Sequence, residues 1–217
     1  ASENYQYVNY NDILNNPEIS HYLSNTCDLG KGYVISGECE DGHRYAKEIV
    51  CGKEWCRICG QDDSSAHNRR FVRWLPKIQQ FLTMGYFVFT IPENIRDRFR
   101  TKNKLNELRS NVHRILKTHG FTGGLSRYHW FGDRSTKYHP HLNVLVEGGH
   151  IPGELIESIK SEYAGLLGVD VVSVNYHYRP SPGKMLHSLK YVTRATFLEA
   201  SWDFELALEL RGFRNMV

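Results

Sequence analysis

The stretch YHPHLNVLV, residues 138–146, combines β-strand spacing with a continuous apolar end. Side chains two positions apart on a strand point to the same face of a sheet. Leu142 and Val144 therefore face the core, and His139 and His141 lie side by side on the opposite face. We expect a strand that brings two imidazoles together on one face of a sheet.

Further strands on both sides of this stretch predict a sheet. Residues 124–131 form a second strand, and the polar turn GDRS at 132–135 joins the two as a hairpin. The apolar run YFVFTI at 86–91, stopped by Pro92, is a buried strand. Residues 169–178 alternate as another strand.

Apolar residues at helical spacing predict five helices around these strands. They cover residues 68–82, 93–119, 152–167, 184–198 and 202–210. We expect Pro76 to break or restart the first of them. Strands and helices in this order predict an α+β fold, with helices packed on a mainly antiparallel central sheet. The order of the strands within that sheet does not follow from the sequence.

Composition divides the chain in two. The first 65 or so residues are rich in Gly, Asn, Asp and Cys and show little periodicity beyond a short strand-like run at 33–35. A loop-rich segment of this size buries too little surface to be stable without a metal. We therefore expect a zinc-binding N-terminal segment over residues 1–66 and the α+β domain over residues 67–217.

The whole chain has the composition of a globular protein, with 217 residues of which 41% are hydrophobic and 24% are charged. No apolar run approaches the roughly 20 residues that span a bilayer, and Ala1–Asn4 lacks the order of a secretory signal. We expect a protein of the cytoplasm without a membrane partner. A formal net charge of +3 permits nucleic-acid binding without proving it.

All five cysteines lie in the first third of the chain: Cys27, Cys39, Cys51, Cys56 and Cys59. An odd number at short spacing in an intracellular chain favours a metal over disulfides. The last three form C-x4-C-x2-C, followed by Gly60, a small residue that suits the tight turn of a zinc knuckle. As the fourth ligand we expect Cys39, with three alternatives: Cys27, His43 and His67. A set of free buried cysteines in a reducing cell is the competing interpretation.

Residues in and after this segment also suit contact with DNA. Trp55 can stack on a base, and Arg57, Arg69 and Arg70 can contact phosphates. We expect replacement of Arg69 and Arg70 to weaken DNA binding and to reduce its dependence on salt. A solvated helix face is the alternative for such basic groups.

A third histidine lies one hairpin arm away from the pair. In an antiparallel pairing, His129 can come alongside His139 and His141. Three imidazoles hold a divalent cation and leave coordination positions open, which catalysis requires and structural sites lack. A phosphate oxygen can fill an open position, so that the cation stabilises charge that builds in the transition state. A core histidine with satisfied hydrogen bonds is the alternative.

A nucleophile for such a site has to come from another element. Tyr191 lies on the predicted helix at 184–198, with Lys190 and Arg194 close to it in sequence. A tyrosine hydroxyl, whose ordinary pKa is about 10, attacks phosphorus only when cations favour the phenolate or activate the phosphate. Lys190 and Arg194 can supply that charge. The chain has 13 tyrosines, so chemistry alone does not single out Tyr191.

Three blocks of the chain, in this order, resemble the motifs of the HUH endonucleases. Residues 87–92, FVFTIP, are similar to the first motif, an apolar strand that ends in Thr-x-Pro. Residues 138–146 resemble the motif of two histidines around one hydrophobic residue, and residues 190–194, KYVTR, resemble the nucleophile motif. The match covers about half of the chain, from Phe87 to Phe197. It points to the single-tyrosine initiators of rolling-circle replication in small plasmids and viruses, to which certain transposases are related.

The resemblance implies a reaction and a set of ligands. Tyr191 would attack a phosphate in a single-stranded origin or hairpin, form a 5′-phosphotyrosine and release a 3′-hydroxyl primer. His139 and His141 would hold Mg²⁺ or Mn²⁺, with His129 in the place of the third ligand on the neighbouring strand. A ferredoxin-like or RRM-like sheet is implied as well. Because the chain has no Gly-rich Lys-Ser/Thr loop, a host helicase and polymerase would be partners.

The chain departs from the family pattern at two positions. Arg194 stands where many members carry Lys, and Asn143 stands where a third histidine often follows the pair. With one tyrosine on this helix, ending replication needs a second protomer, a water molecule or another group. Glu199 and Glu205 are candidates for that group.

Two rival functions share part of this interpretation. A single-strand transposase or a relaxase has the same active site and differs in its substrate. A zinc-dependent DNA-binding regulator without catalysis would keep all of its activity in Tyr191→Phe. The enzyme would lose its covalent adduct in that variant.

Overall fold

The computed structural model describes residues 34–48, 56, 60, 64–132, 137–197 and 204–217. An N-terminal hairpin consists of β1 (Val34–Glu38) and β2 (Arg44–Glu48). The elements that follow it are α1 (Ser65–Ile78), β3 (Met84–Thr90), a 3-10 helix (Glu93–Phe99), α2 (Lys102–Thr118), β4 (Gly124–Phe131), β5 (Tyr138–Glu147), α3 (Gly153–Leu167), β6 (Ser173–Arg179), α4 (Pro182–Thr193) and α5 (Phe204–Glu209).

The strands β3 to β6 form one open antiparallel sheet in the order β4-β5-β3-β6. β3 lies inside the sheet and pairs with both β5 and β6. The chain passes through this sheet as strand, helix, strand, strand, helix, strand, and α2 and α3 are the two helices. The prediction of an α+β fold with helices on an antiparallel sheet is therefore confirmed. β1 and β2 pair in a separate two-stranded sheet. Here the sequence predicted a strand only at 33–35, which corresponds to β1, and did not predict β2.

Apolar side chains cover both faces of the four-stranded sheet. Because side chains alternate along a strand, Phe87 and Phe89 of β3 pack on one face with α2 and α3. Met84 and Tyr86 of the same strand lie on the other face and pack with α1 and α4. We call this second surface the α4 face. Burial of one large apolar side chain contributes about 1.5–3 kcal/mol, so both helical layers are held firmly on the sheet.

The predicted helix at 93–119 is interrupted. Its first part, Glu93–Phe99, is the 3-10 helix, and α2 begins after Thr101. The Thr101 side chain accepts a hydrogen bond from the Lys104 amide at 3.4 Å, which satisfies one of the amides that a helix start leaves without a partner. Apolar spacing continues across this point, which is why the sequence did not indicate the break.

The prediction that Pro76 breaks or restarts the first helix was wrong. α1 continues through Pro76 to Ile78. Leu82, which apolar spacing placed on the same helix, lies beyond its end and is 89% exposed. Proline removes one backbone donor and disfavours a helical conformation at the residue before it. Pro76 therefore cannot donate to the carbonyl group four residues before it, and α1 ends two residues after it.

The helix that carries the predicted nucleophile is shorter than the sequence suggested. α4 starts at Pro182, since proline suits the first turn of a helix, and ends at Thr193. Arg194 follows in an extended conformation with φ −60° and ψ 174°. Among the residues that the structure describes, none of the helices combines the length and the apolar character needed to cross a membrane.

Candidate functional site

Three histidines that the sequence assigned to a metal adjoin one another on the α4 face. His129 of β4 is directly paired with His141 of β5. The centroid of the His141 ring lies 5.3 Å from that of His129 and 5.8 Å from that of His139. His141 is therefore the middle member of the group, with one neighbour on its own strand and one on the adjacent strand.

His129 is buried, and one of its two ring nitrogens makes a hydrogen bond. Its Nε2 lies 3.0 Å from the carbonyl oxygen of Val192 on α4, so Nε2 carries the proton and donates it. Nδ1 is buried and makes no hydrogen bond within the described part of the chain. Burial holds the pKa of His129 well below its ordinary value, and the charge of His141 acts in the same direction. A neutral imidazole that donates to a carbonyl through one nitrogen can bind a metal through the other.

The other two imidazoles are half-buried. Nδ1 of His141 donates to the carbonyl oxygen of His139 at 3.0 Å, which makes Nε2 the nitrogen with the lone pair. Burial lowers the pKa of His139, the charge of Arg96 lowers it further, and Glu93 opposes both effects. Because metal binding requires a neutral imidazole, a lowered pKa favours it.

The ligand nitrogens of the three imidazoles do not converge on one point in this structure. Among the described residues, three ligand atoms that all lie within 4.8 Å of one another occur at Cys39, Asp41 and His43. The ring nitrogens of the histidines of β4 and β5 do not all lie this close to one another. Binding of one ion by all three therefore requires their rings to turn toward one another.

Tyr191 of α4 lies beside the histidines. The centroid of its ring is 5.4 Å from that of His129 and 6.4 Å from that of Tyr86. The guanidinium carbon of Arg194 lies 4.2 Å from the centroid of the Tyr191 ring. A cation over an aromatic face is attracted by the quadrupole of the ring, and here it brings positive charge next to the predicted nucleophile. Lys190, the other predicted cation, is exposed.

A buried polar network that the sequence did not reveal underlies the site. Tyr86 donates its hydroxyl to Oδ1 of Asn143 at 2.6 Å, and Nδ2 of Asn143 donates to the carbonyl oxygen of Arg127 at 3.3 Å. The asparagine that replaces a histidine of the family pattern thus links β3, β5 and β4. Its place on the α4 face follows from two-residue spacing with His139 and His141. Its partner Tyr86 could not be found in this way, because the register between β3 and β5 is not a local property.

Two residues of α1 that the sequence assigned to zinc or DNA lie against α4. His67 is buried, and its Nε2 lies 3.0 Å from the carbonyl oxygen of Lys190. Nε of Arg70 donates to the carbonyl oxygen of Thr193 at 2.7 Å. Arg69, on the same helix, is exposed. Of the two arginines predicted to contact DNA, Arg69 faces solvent and Arg70 contacts protein.

The described residues include only part of the predicted zinc site. Sγ of Cys39 lies 3.5 Å from Nδ1 of His43, at the turn between β1 and β2. Cys56 is buried, and its carbonyl oxygen accepts a hydrogen bond from the Gly60 amide at 2.9 Å. Glu205 is exposed on α5. Predictions for six other residues lie outside the described part of the chain: Cys27, Cys51, Trp55, Arg57, Cys59 and Glu199.

The α4 face thus gathers a phenol, a guanidinium and three imidazoles whose surroundings differ in polarity. The imidazoles can hold a divalent cation, and the phenol can act as a nucleophile toward a group bound by that cation. The guanidinium can stabilise negative charge on either partner. No protein-family model, curated protein or solved structure matches this chain.

Proposed function

We propose that this protein nicks and rejoins single-stranded DNA through Tyr191, and that it initiates rolling-circle replication of a plasmid or virus. Mg²⁺ or Mn²⁺ is held by His129, His139 and His141. The observation that carries the proposal is the position of His129, whose ring adjoins those of His141 and Tyr191 and whose buried Nδ1 makes no hydrogen bond within the described chain. A polar atom buried without a partner costs about 1–3 kcal/mol, which a bound cation would offset.

The donor set favours one of the two cations. Mg²⁺ prefers oxygen ligands in a strict octahedron, whereas nitrogen ligands generally bind Mn²⁺ and later transition metals more tightly. We therefore expect Mn²⁺ to bind more tightly than Mg²⁺ to three imidazoles. When bound, the cation polarises the phosphodiester and stabilises charge on its oxygens.

The fold supports the proposal at the level of topology. Numbered in chain order, the four strands of the large sheet lie as second, third, first and fourth, and the elements follow one another as β-α-β-β-α-β. We infer a ferredoxin-like arrangement, which has this succession of elements. The resemblance to the HUH endonucleases implies such a sheet, with metal ligands on adjacent strands and a tyrosine on a later helix.

In the proposed reaction, the hydroxyl oxygen of Tyr191 attacks phosphorus. A bond forms between these atoms, the bond from phosphorus to the 3′ oxygen breaks, and the tyrosine proton passes through solvent to the released 3′ oxygen. The product is still a phosphodiester, so attack by a 3′ hydroxyl reverses the step and rejoins a strand. Arg194, which lies over the Tyr191 ring, stabilises negative charge as the proton leaves. To Lys190 we assign a contact with the phosphate.

We further propose a structural zinc ion in the N-terminal segment, held by four cysteines: Cys39, Cys51, Cys56 and Cys59. The 3.5 Å separation between Sγ of Cys39 and Nδ1 of His43 keeps His43 as the main alternative for the fourth ligand. Strand separation and DNA synthesis fall to a host helicase and polymerase in the cytoplasm.

A nicking assay with a labelled pool of randomised single-stranded oligonucleotides tests the proposal. The pool includes hairpins, and the reaction contains Mn²⁺. We expect the wild-type protein to cut a subset of the pool and to remain attached to the 5′ phosphate after denaturation. Tyr191→Phe should reduce nicking at least about a thousandfold, because only binding and electrostatic effects remain without the nucleophile.

Tyr178→Phe is the matched control for this assay. Tyr178 lies on β6 and its ring neighbours that of His150, with centroids 6.4 Å apart. This variant should nick as the wild type does. Equal adduct formation by Tyr191→Phe would refute the proposed nucleophile. Tight DNA binding by the wild type without any cleavage would favour the zinc-dependent regulator instead.

A further inference from the structure

The C-terminal end of α4 is held by side chains from α1. The regular backbone hydrogen bonds of a helix leave its last four carbonyl groups without partners. At this end of α4 the Thr193 hydroxyl donates to the Lys190 carbonyl oxygen at 3.2 Å and the Arg194 amide to the Tyr191 carbonyl oxygen at 3.3 Å, and further donors come from other elements. His67 supplies its Nε2 to the Lys190 carbonyl oxygen at 3.0 Å, and Arg70 supplies its Nε to the Thr193 carbonyl oxygen at 2.7 Å. These two contacts bracket Tyr191 in the sequence.

Strand β4 supplies donors to the same end of α4. His129 bonds to the Val192 carbonyl oxygen at 3.0 Å, and a terminal nitrogen of Arg127 donates to the Arg194 carbonyl oxygen at 3.4 Å. The backbone around Tyr191 is thus fixed from the sheet below and from α1 beside it. His129, one of the two sheet residues, is a proposed metal ligand, so the position of the phenol depends on α1 and on the metal site together.

We propose that His67 and Arg70, which we call the α1 clamp, are positioning residues for Tyr191. The inference rests on the proposed function, in which Tyr191 is the nucleophile. The clamp holds the backbone one residue before Tyr191 and two residues after it. Displacement of a reacting group by about 1 Å can reduce a rate by about a hundredfold. The clamp therefore sets the rate of attack without contact between its own side chains and DNA.

The chemistry of the two donors suits this task. The guanidinium of Arg70 lies at the negative end of the α4 dipole and donates a charge-assisted hydrogen bond, which is stronger than a neutral one. His67 is buried, so water does not compete for its bond to α4.

Single-turnover nicking and DNA affinity, measured on paired variants, test the clamp. His67→Leu and Arg70→Met remove a donor but keep most of the side-chain volume. We expect each to lower the nicking rate by about 10- to 100-fold, while the Kd for the oligonucleotide pool changes by less than about twofold. His67→Gln, which keeps a donor near the Nε2 position, should recover most of the rate. The matched control is Arg73→Met, which replaces an exposed arginine on α1, and it should nick at the wild-type rate.

Hydrogen exchange measured by mass spectrometry gives a second readout that needs neither DNA nor catalysis. Peptides that cover residues 185–197 should exchange faster in His67→Leu and Arg70→Met than in wild type, His67→Gln or Arg73→Met. If His67→Leu fails to fold, His67→Asn replaces it. The asparagine side chain is too short to place its donor at the Nε2 position, and His67→Gln remains the comparison.

Two results would overturn the inference. The first is wild-type nicking and wild-type exchange in both donor-removing variants. The second is a loss of nicking by Arg70→Met that saturating DNA restores, because Arg70 would then act on binding. Absence of nicking by the wild type refutes the proposed function instead, and the exchange experiment still decides whether the clamp holds α4.

Discussion

His129 has three different neighbours. The centroid of its ring lies 5.3 Å from that of His141 and 5.4 Å from that of Tyr191, and its Nε2 lies 3.0 Å from the Val192 carbonyl oxygen. Two-residue spacing placed His139 and His141 on one face, and a hairpin arm brought His129 beside them, so this much was predictable from sequence. The bond to Val192 was not, because it joins residues 63 positions apart through the packing of α4 on the sheet.

Replacement of His129 by alanine removes both a proposed ligand and the donor to the Val192 carbonyl. We expect the affinity for Mn²⁺ to fall at least about tenfold, and the free energy of unfolding to fall by about 1–3 kcal/mol because a buried acceptor loses its partner. Calorimetric titration with Mn²⁺ and urea unfolding measure the two effects separately. His150→Ala, which replaces an exposed histidine, should change neither. A less stable variant that binds Mn²⁺ like the wild type would limit His129 to a structural role.

At the scale of helices and strands, periodicity indicated the type of each element in the sheet domain but not where it ends. The strand predicted at 86–91 is β3, and the hairpin predicted at 124–146 is β4 and β5. Helix ends depend on single hydrogen bonds and on local geometry, as at Thr101 before α2 and at Pro182, where α4 begins. The polar hairpin of β1 and β2 carries too few apolar residues for alternation to reveal both of its arms.

β4 begins at a glycine that leaves no room for a side chain. A Cβ atom at Gly124 would collide with the carbonyl oxygen of Leu145 on β5. We expect Gly124→Ala to lower the free energy of unfolding by about 1–3 kcal/mol, and to loosen the pairing that sets His129 beside His141. Gly123→Ala, whose Cβ would meet no atom within 4 Å, should change the free energy of unfolding by less than about 0.5 kcal/mol. Equal stability of the two variants in urea would contradict this register.

At the scale of the whole molecule, the candidate site exists only where α1, the β4–β5 hairpin and α4 meet. His67 and Lys190 are 123 positions apart, and their contact arises from the packing of two helices on one face of the sheet. The sequence indicated His67 as an alternative zinc ligand and Arg70 as a DNA contact, and neither contact with α4 could be predicted, because a sequence shows the type of a residue but not its neighbours. Strand order was not predictable for the same reason, because the pairing of strands that are far apart in sequence depends on tertiary packing.

The central claim is that Tyr191 becomes joined to DNA, and peptide mapping of the adduct tests it most directly. Wild-type protein reacted with the randomised oligonucleotide pool and Mn²⁺ is digested with a nuclease and with trypsin, and the modified peptide is sequenced by mass spectrometry. The predicted result is a nucleotide attached through phosphate to Tyr191, in the tryptic peptide 191–194, and its loss when EDTA replaces Mn²⁺. Attachment to any other residue, or cleavage without a covalent adduct, would contradict the account.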